Sequence, residues 1–333
     1  MKCAYLAFTA KGFALAQRLA EVCPGTVARC GAEGVSLSAW TARQFADADA
    51  LVFIGAVGIA VRAVAPHCRS KAVDPAVVVL DEQGQFAVSL LSGHLGGAND
   101  LTRRLAAACS AVPVITTATD ARGVFAVDEW AVRQNCAVAE PERIKYISSA
   151  LLAGKPVRYF SDWRIAGEPP TGVQPAACAA QADFALTLTP VGDALHIVPR
   201  VVVLGVGCKR GTTAHQLEKA LAAFCAANGL APQSIAAAAS IDLKKEEPGL
   251  LQFAKTHGWT LEFYTSEALC AVPGRFTASH FVKEITGVDN VCERAAVKAA
   301  GGQLFVPKWA DNGVTLAAAL RPFAPDWRWK TDG

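Results

Sequence analysis

The chain has no apolar run long enough to cross a bilayer. The longest, Ala50 to Val61, ends at Arg62, well short of the roughly 20 residues that a span requires. It has no CxxC, and its 11 cysteines come no closer together than Cys23 and Cys30. Neither a disulfide framework nor a thiolate zinc site is therefore expected. It has no block of one charge: 32 Lys and Arg stand against 29 Asp and Glu, a net +3, which argues against a non-specific grip on nucleic acid. It contains no HExxH, nucleophile elbow or paired-Asp metal motif. Charged residues are scarce, at 18%, while 52% are hydrophobic, so the chain is not disordered. Lys2, the apolar stretch Cys3–Ala10 and Lys11 lack a small-residue cleavage site and read as a first strand, not a leader peptide. With cysteines that read as reduced, this sets the expectation of a cytoplasmic protein that binds neither membrane nor nucleic acid.

The 333 residues suggest two or three domains. Over 1–138, short β-branched runs (Cys3–Thr9, Leu51–Ala56, Val77–Leu80, Val88–Leu91, Val112–Thr116) alternate with helical patterns (Phe13–Val22, Gly58–Ala65, Ala98–Ala108). That alternation predicts βαβ units and a doubly wound, mainly parallel sheet. Residues 139–200 hold seven of the 17 prolines, with one helix at Glu142–Leu152, and read as a small middle module or linker. From Val201 a second α/β domain is expected, to residue 322, followed by a tail over 323–333. Its helix Ala214–Ala227 opens with Thr213 and Gln216 at capping-box spacing. The fold class is thus multi-domain α/β.

Three strand-to-helix turns carry glycines, and such turns are where open α/β sheets bind ligands. The first is Gly55-Ala-Val-Gly58, with Arg62 one turn along; a carboxylate site and a plain tight turn explain it equally. The second is Ser92-Gly93-His94-Leu-Gly96-Gly97, followed by Asn99. Glycines let the backbone approach a ligand closely. A histidine among them suits a general base poised near neutrality, beside N–H donors for an oxyanion. Asn99 or Asp100 reads equally well as a helix cap. Thr116, Thr117 and Asp120, after the next strand, could face the same crevice or serve the loop alone. The third turn, Gly205-Val-Gly207-Cys208-Lys209-Arg210-Gly211, breaks the dinucleotide fingerprint, because Arg210 stands where the last glycine belongs. It remains an anion-accepting turn, with Cys208 read as a buried small residue before a reactive thiol. Ser240, Asp242, Lys244 and Lys245 form a further candidate for anionic groups or a solvated charge run. Glu293 is a candidate acid that a capping box with Asn290 would also explain.

These residues resemble a known family. FIGAVGIAVRAVAP (53–66), DPAVVVLDEQGQFAVSLLSGHLGGAND (74–100) and VITTATD (114–120) are similar to the N-terminal region of the cobalt-precorrin-5A hydrolase family. GVGCKRGT (205–212), SIDLKKEE (240–247) and GVDNVCERAA (287–296) resemble its C-terminal domain. The similarity is weakest over 139–200, and the C-terminal domain also resembles a short stand-alone protein of the aerobic pathway. The resemblance implies a cobalt-bearing contracted tetrapyrrole as substrate, rich in acetate and propionate arms. Water opens its δ-lactone and a two-carbon fragment leaves as acetaldehyde, giving cobalt-precorrin-5B in anaerobic vitamin B12 synthesis. It implies His94 as catalytic residue, the three turns with Arg62, Lys209, Arg210, Lys244 and Lys245 as substrate contacts, and no cofactor, cobalt arriving with the substrate. Neighbouring corrin-pathway enzymes and further copies of the chain are the expected partners. The alternative is a non-catalytic carrier of corrinoid intermediates.

Overall fold

The computed structural model describes residues 1–70 and 73–329. They fall into two compact units, one of 1–132, 144–155 and 328 onward, the other of 133–143 and 156–327.

The first unit contains β1 (Cys3–Ala7), α1 (Ala10–Val22), β2 (Gly25–Arg29), α2 (Leu37–Asp47), β3 (Ala50–Ile54) and α3 (Val57–Val64). These are followed by β4 (Ala76–Leu80), β5 (Phe86–Leu91), α4 (Ala98–Cys109), β6 (Val112–Val114), α5 (Ala118–Arg122), α6 (Val127–Arg133) and, after an excursion into the second unit, α7 (Ile144–Leu152). The sheet order is β2-β1-β3-β4-β5-β6, parallel throughout except where β4 meets β5. β1, β3 and β4 are buried at every position, as strands covered on both faces must be. Leu15, Leu19, Leu101 and Leu105 of α1 and α4 cover one face; Trp40, Phe45, Ala60 and Val64 of α2 and α3 cover the other. Local signals agree with this packing. Thr9 Oγ1 accepts the Gly12 N–H at 3.0 Å to start α1, and Leu15, Ala16 and Leu19 recur at helical spacing along its buried stripe.

The reversal at β5 decides where the chemistry can sit. Leu91, the last residue of β5, lies opposite Val77 near the start of β4, and β6 runs alongside β5. The segments leaving β5 and β6 therefore emerge side by side at the end of the sheet where β1, β3 and β4 begin. The Gly55 turn, which leaves β3, emerges at the other end.

In the second unit a five-stranded sheet, ordered β7-β11-β10-β8-β9, is built from β7 (Cys136–Val138), β8 (Val157–Ser161), β9 (Val173–Pro175), β10 (Phe184–Leu186) and β11 (Leu195–Pro199). Beyond it come β12 (Val202–Cys208), α8 (Ala214–Asn228), β13 (Ile235–Ile241), α9 (Pro248–His257), β14 (Thr260–Tyr264), α10 (Ser266–Cys270), α11 (His280–Thr286), α12 (Val291–Ala300), β15 (Gln303–Asp311) and β16 (Val314–Leu320). Their sheet is ordered β14-β13-β12-β16-β15, with β12–β14 parallel and β15 and β16 antiparallel. The capping box at Thr213 and Gln216 forms at the start of α8.

The division into 139–200 and 201–322 does not separate compact bodies. Leu188 lies in the hydrophobic core under α8 and its carbonyl accepts the Ala231 N–H at 3.0 Å. The helix of the middle region begins at Ile144, buries Ile144, Ile147 and Leu151, and belongs to the first unit, where Arg122 Nη1 reaches the Leu152 carbonyl at 3.4 Å. Nor is 323–329 a loose tail. Phe323 packs edge-on against Trp163 at 5.4 Å and Trp327 against Tyr159 at 4.8 Å, each ring burying apolar area that a loose tail would leave in water. Residues 330–333 of the expected tail lie outside the described residues.

Candidate active site

The turn from β5 into α4 is shaped by its own small residues. Ser92 has φ 57 and Gly97 φ 81, and the Gly97, Ala98 and Asn99 N–H groups donate to the carbonyls of His94, Ser92 and Gly93 at 2.9–3.1 Å. A Cβ on Gly93 would stand 2.8 Å from Asn99 Oδ1, and one on Gly96 2.4 Å from Ser92 Cβ, so both glycines are demanded by the turn itself. The N–H groups of Gly93, His94, Leu95 and Gly96 find no acceptor among the described residues. These four, not the whole turn, are the donors left unpaired by the chain itself.

His94 projects from this turn into a cage of carboxylates. Its Nδ1 lies 3.0 Å from Asp128 Oδ2, and its Nε2 3.1 Å from Asp120 Oδ2 and 3.5 Å from Glu129 Oε1. Thr119 Oγ1 is 3.4 Å from the same nitrogen. Asp120 is held by Arg103 Nη2 at 2.5 Å, by Asn99 Nδ2 at 3.0 Å and by the Thr117 hydroxyl. Asn99 caps nothing; Ser89 Oγ donates to its Oδ1 at 2.7 Å, and its amide ties α4 to Thr117 and Asp120. Thr116 is exposed beside them.

Burial alone would lower the imidazole pKa, but the hydrogen bonds to Asp120 and Asp128 and the charges of Asp128 and Glu129 outweigh it, and His94 is raised to about 10. With a carboxylate at each ring nitrogen, the surroundings favour the protonated ring over a base poised near neutrality. Burial acts to raise Asp120, yet the His94 and Thr117 hydrogen bonds and the charges of His94 and Arg103 hold it well below the usual carboxylate range. Glu129 moves the other way, raised first by burial and then by the charges of Asp120 and Asp128.

The ligand atoms of His94, Asp120 and Glu129 lie within 4.8 Å of one another, near enough to share one ion. Four donors already converge on Asp120, as many as a carboxylate has lone-pair positions. One is the Arg103 cation, which would repel a second. The donor set suits a proton better than a metal.

Three family models match the chain: Cobalamin synthesis G N-terminal over residues 39–120, Cobalamin biosynthesis central region over 125–183, and Cobalamin synthesis G C-terminus over 202–319. The cobalt-precorrin-5A hydrolase of Salmonella typhimurium is 38% identical, covering 95% of this chain and 97% of its own. The chain belongs to the cobalt-precorrin-5A hydrolase family. A second relative of that name, from Priestia megaterium, is 31% identical over 84% of this chain and 80% of its own. A crystal structure of a cobalamin biosynthesis protein G homolog from Sulfolobus solfataricus is 21% identical over 96% of this chain and 97% of that one, with a TM-score of 0.42.

In this cobalt-precorrin-5A hydrolase family member the remaining candidate residues divide. Gly55, Gly58 and Arg62 stand at the opposite end of the first sheet from His94. Arg62 is exposed and turns its Nη1 back to the Gly58 carbonyl at 3.2 Å, while a Cβ on Gly55 would meet the Phe8 ring at 2.6 Å.

In the second unit the structure joins two candidates that were separate in sequence. Glu247, missed in the sequence, accepts the Gly211 N–H at 2.7 Å and the Lys244 ammonium at 3.1 Å. Those two donors hold its pKa below the usual range. The anion-accepting turn is thus met by a carboxylate of the chain itself. Lys209, Arg210 and Lys245 are exposed around it, and Asp242 is half-buried.

Ser240 Oγ donates to the Val206 carbonyl at 2.7 Å and is fully buried. Cys208 is half-buried, not fully buried as expected, and burial raises its thiol, which does not suit a reactive thiolate. Gly205 and Gly207 serve packing: a Cβ on the first would lie 1.8 Å from the Cys292 carbonyl oxygen, and on the second 2.4 Å from Thr315 Oγ1. Glu293 is 0% exposed. Its carboxylate accepts from Thr277 N and Oγ1 and from Lys308 N at 2.6–2.9 Å, which removes it as a candidate acid or substrate contact. Asn290 Oδ1 accepts the Glu293 N–H at 2.9 Å, so only that half of the capping box forms.

Sequence reasoning missed Arg103, Thr119, Asp128 and Glu129. The adjacent Asp128-Glu129 pair in a largely apolar stretch (VFAVDEWAV) was the available signal. Ser92 carries a cost that the site retains: a left-handed backbone and a buried hydroxyl without a partner. Left-handed geometry costs a non-glycine residue about 1–2 kcal/mol, and an orphaned hydroxyl about 1–3. Against the chain entropy that a glycine adds, Ser92→Gly should stabilise the first unit by about 1 kcal/mol in chemical denaturation. A less stable variant would mean that the hydroxyl supports the fold.

Proposed function

We infer that this chain is a cobalt-precorrin-5A hydrolase, opening the substrate's δ-lactone and releasing the two-carbon fragment as acetaldehyde to give cobalt-precorrin-5B in anaerobic cobalamin synthesis. The observation that carries the reading is the His94 imidazolium, caged by Asp120, Asp128 and Glu129 next to a turn with four open N–H groups. A lactone carbonyl placed against that turn would have its developing oxyanion met by the N–H groups of Gly93–Gly96. His94 Nε2, hydrogen-bonded to Asp120, gives its proton to the ring oxygen as the acyl C–O bond breaks, leaving a carboxylic acid and a free hydroxyl. The neutral imidazole then takes the hydroxyl proton back as C=O forms, the C–C bond breaks and acetaldehyde departs. The bonding pair passes into the conjugated macrocycle. His94 thus serves as acid and then as base, and Asp128 on Nδ1 keeps the ring oriented through both.

In the second unit, Lys209, Arg210 and Lys245 are exposed cations of the kind that carboxylate groups bind. The substrate brings its own cobalt and is the partner this reading requires; neighbouring pathway enzymes would supply it and take up the product. Among the described residues no helix is long and apolar enough to cross a membrane.

Incubating the purified protein with cobalt-precorrin-5A should release acetaldehyde in an amount equal to the lactone consumed. A protein that binds the pigment and leaves it unchanged would be a carrier, and the hydrolase reading would fall.

A further inference from the structure

We propose that Glu129 is the base that takes a proton from the water attacking the lactone carbonyl. This rests on the hydrolase reading above, and it fills a step that His94 does not serve, because both of its ring nitrogens are already engaged by the Asp128 and Asp120 carboxylates.

Three carboxylates surround His94, and two are committed. Asp120 receives four donors, three on Oδ2 and the Arg103 guanidinium on Oδ1, and the charges of His94 and Arg103 hold it well below the usual carboxylate range, which makes it a poor base. The Asp128 side chain is only 5% exposed. One of its oxygens is engaged by His94 Nδ1, and the other is shut off from solvent, so no water can reach it. Glu129 differs on both counts. Its side chain is 13% exposed, close to the 15% of His94 itself, and its one ion-pair partner among the described residues is His94 Nε2 at 3.5 Å, too long to hold it as a hydrogen bond. Acceptor positions therefore remain open on the side that substrate and water reach. Burial among like charges also makes it more basic than an ordinary glutamate, which favours proton transfer near neutral pH.

In the step itself, a Glu129 oxygen takes one proton of the water as its oxygen bonds to the carbonyl carbon. The π pair moves onto the carbonyl oxygen. As the tetrahedral intermediate collapses, the ring C–O bond breaks and its oxygen takes the His94 proton. Glu129 loses its own proton to solvent once the acid product leaves. Water is the only co-reactant.

The test separates the two steps by using intact lactone and the pre-opened hydroxy acid. Glu129→Gln keeps the size of the side chain and removes the base. On intact lactone it should slow ring opening by about 10²–10⁴-fold with KM little changed. On the pre-opened acid, where no water is activated, acetaldehyde release should stay within a few-fold of wild type. His94→Gln should fail on both. The midpoint of thermal unfolding reports whether each variant folds. Glu129→Ala with added formate, which supplies a small base in the vacated space, should regain part of the lost opening and serves if the glutamine variant is unstable. The assignment is overturned if Glu129→Gln opens lactone at the wild-type rate, if it is equally slow on both substrates, or if formate restores nothing. Wild-type protein that opens no lactone would instead sink the hydrolase reading itself, and this assignment with it.

Discussion

His94→Ala should be the most damaging single substitution in the first unit. It removes the positive charge to which Asp120, Asp128 and Glu129 are all turned, and breaking a buried ion pair from one side costs about 3–5 kcal/mol. Acetaldehyde formation should fall by about 10²–10⁴-fold even where the protein stays folded. The pH dependence identifies the cause. The folded-state pKa of His94 is raised from 6.5 to about 10, so its contribution to stability is complete below 6.5 and is lost as pH climbs through about 10. Asp120 is lowered from 3.8, so its contribution is present above 3.8 and is lost as pH falls below it. The first unit of the wild type should therefore be most stable between these two ordinary values and decline towards pH 10. In His94→Ala the alkaline decline should vanish, and stability should instead rise as acid neutralises the unpaired carboxylates. Chemical denaturation at pH 5, 7 and 9.5 checks both slopes; an unchanged alkaline slope in the variant would show that the cage does not hold the proton.

Gly205→Ala should destabilise the second unit at or above the upper end of the usual cost of overpacking, about 1–3 kcal/mol. The added methyl would lie 1.8 Å from the Cys292 carbonyl oxygen and 3.0 Å from Ala296 Cβ, so α12 itself would have to move. The neighbouring Gly211→Ala is the control. Gly211 has φ 78 and open space around it, so an alanine there meets only left-handed strain, about 1–2 kcal/mol. If Gly205 were instead a ligand-approach glycine, its alanine variant would unfold like wild type and lose only pigment affinity. Urea midpoints of the two variants decide between these outcomes.

The elements that the sequence pattern made legible are those whose periodicity is their own. β1, β3 and β4 read as unbroken apolar runs because both faces are buried, and α8 announces itself through its Thr213 cap; the Thr9 cap of α1 showed only in the structure, since Thr9 read as the end of the first strand. β13 was not legible: Ala236–Ala239 have little strand propensity, and they form a strand because β12 and β14 hydrogen-bond to them on both sides. β2 is largely exposed and shows no apolar alternation. The same division runs through the site. The glycines around His94 marked the turn, because only a side-chain-free backbone folds that way. Asp128 and Glu129 did not stand out, since an acidic pair usually faces solvent.

From the order of residues alone came the α/β class, the family, the glycine-rich turn and its histidine, all of which depend on neighbours close along the chain. Only the tertiary structure decided that three carboxylates surround the histidine, that Glu293 and Gly205 belong to the packing, and that the Gly55 turn lies at the far end of the sheet. Each of those follows from which groups meet across long stretches of sequence. Charge state and burial are properties of surroundings, and surroundings exist only once the strands have chosen their order and direction.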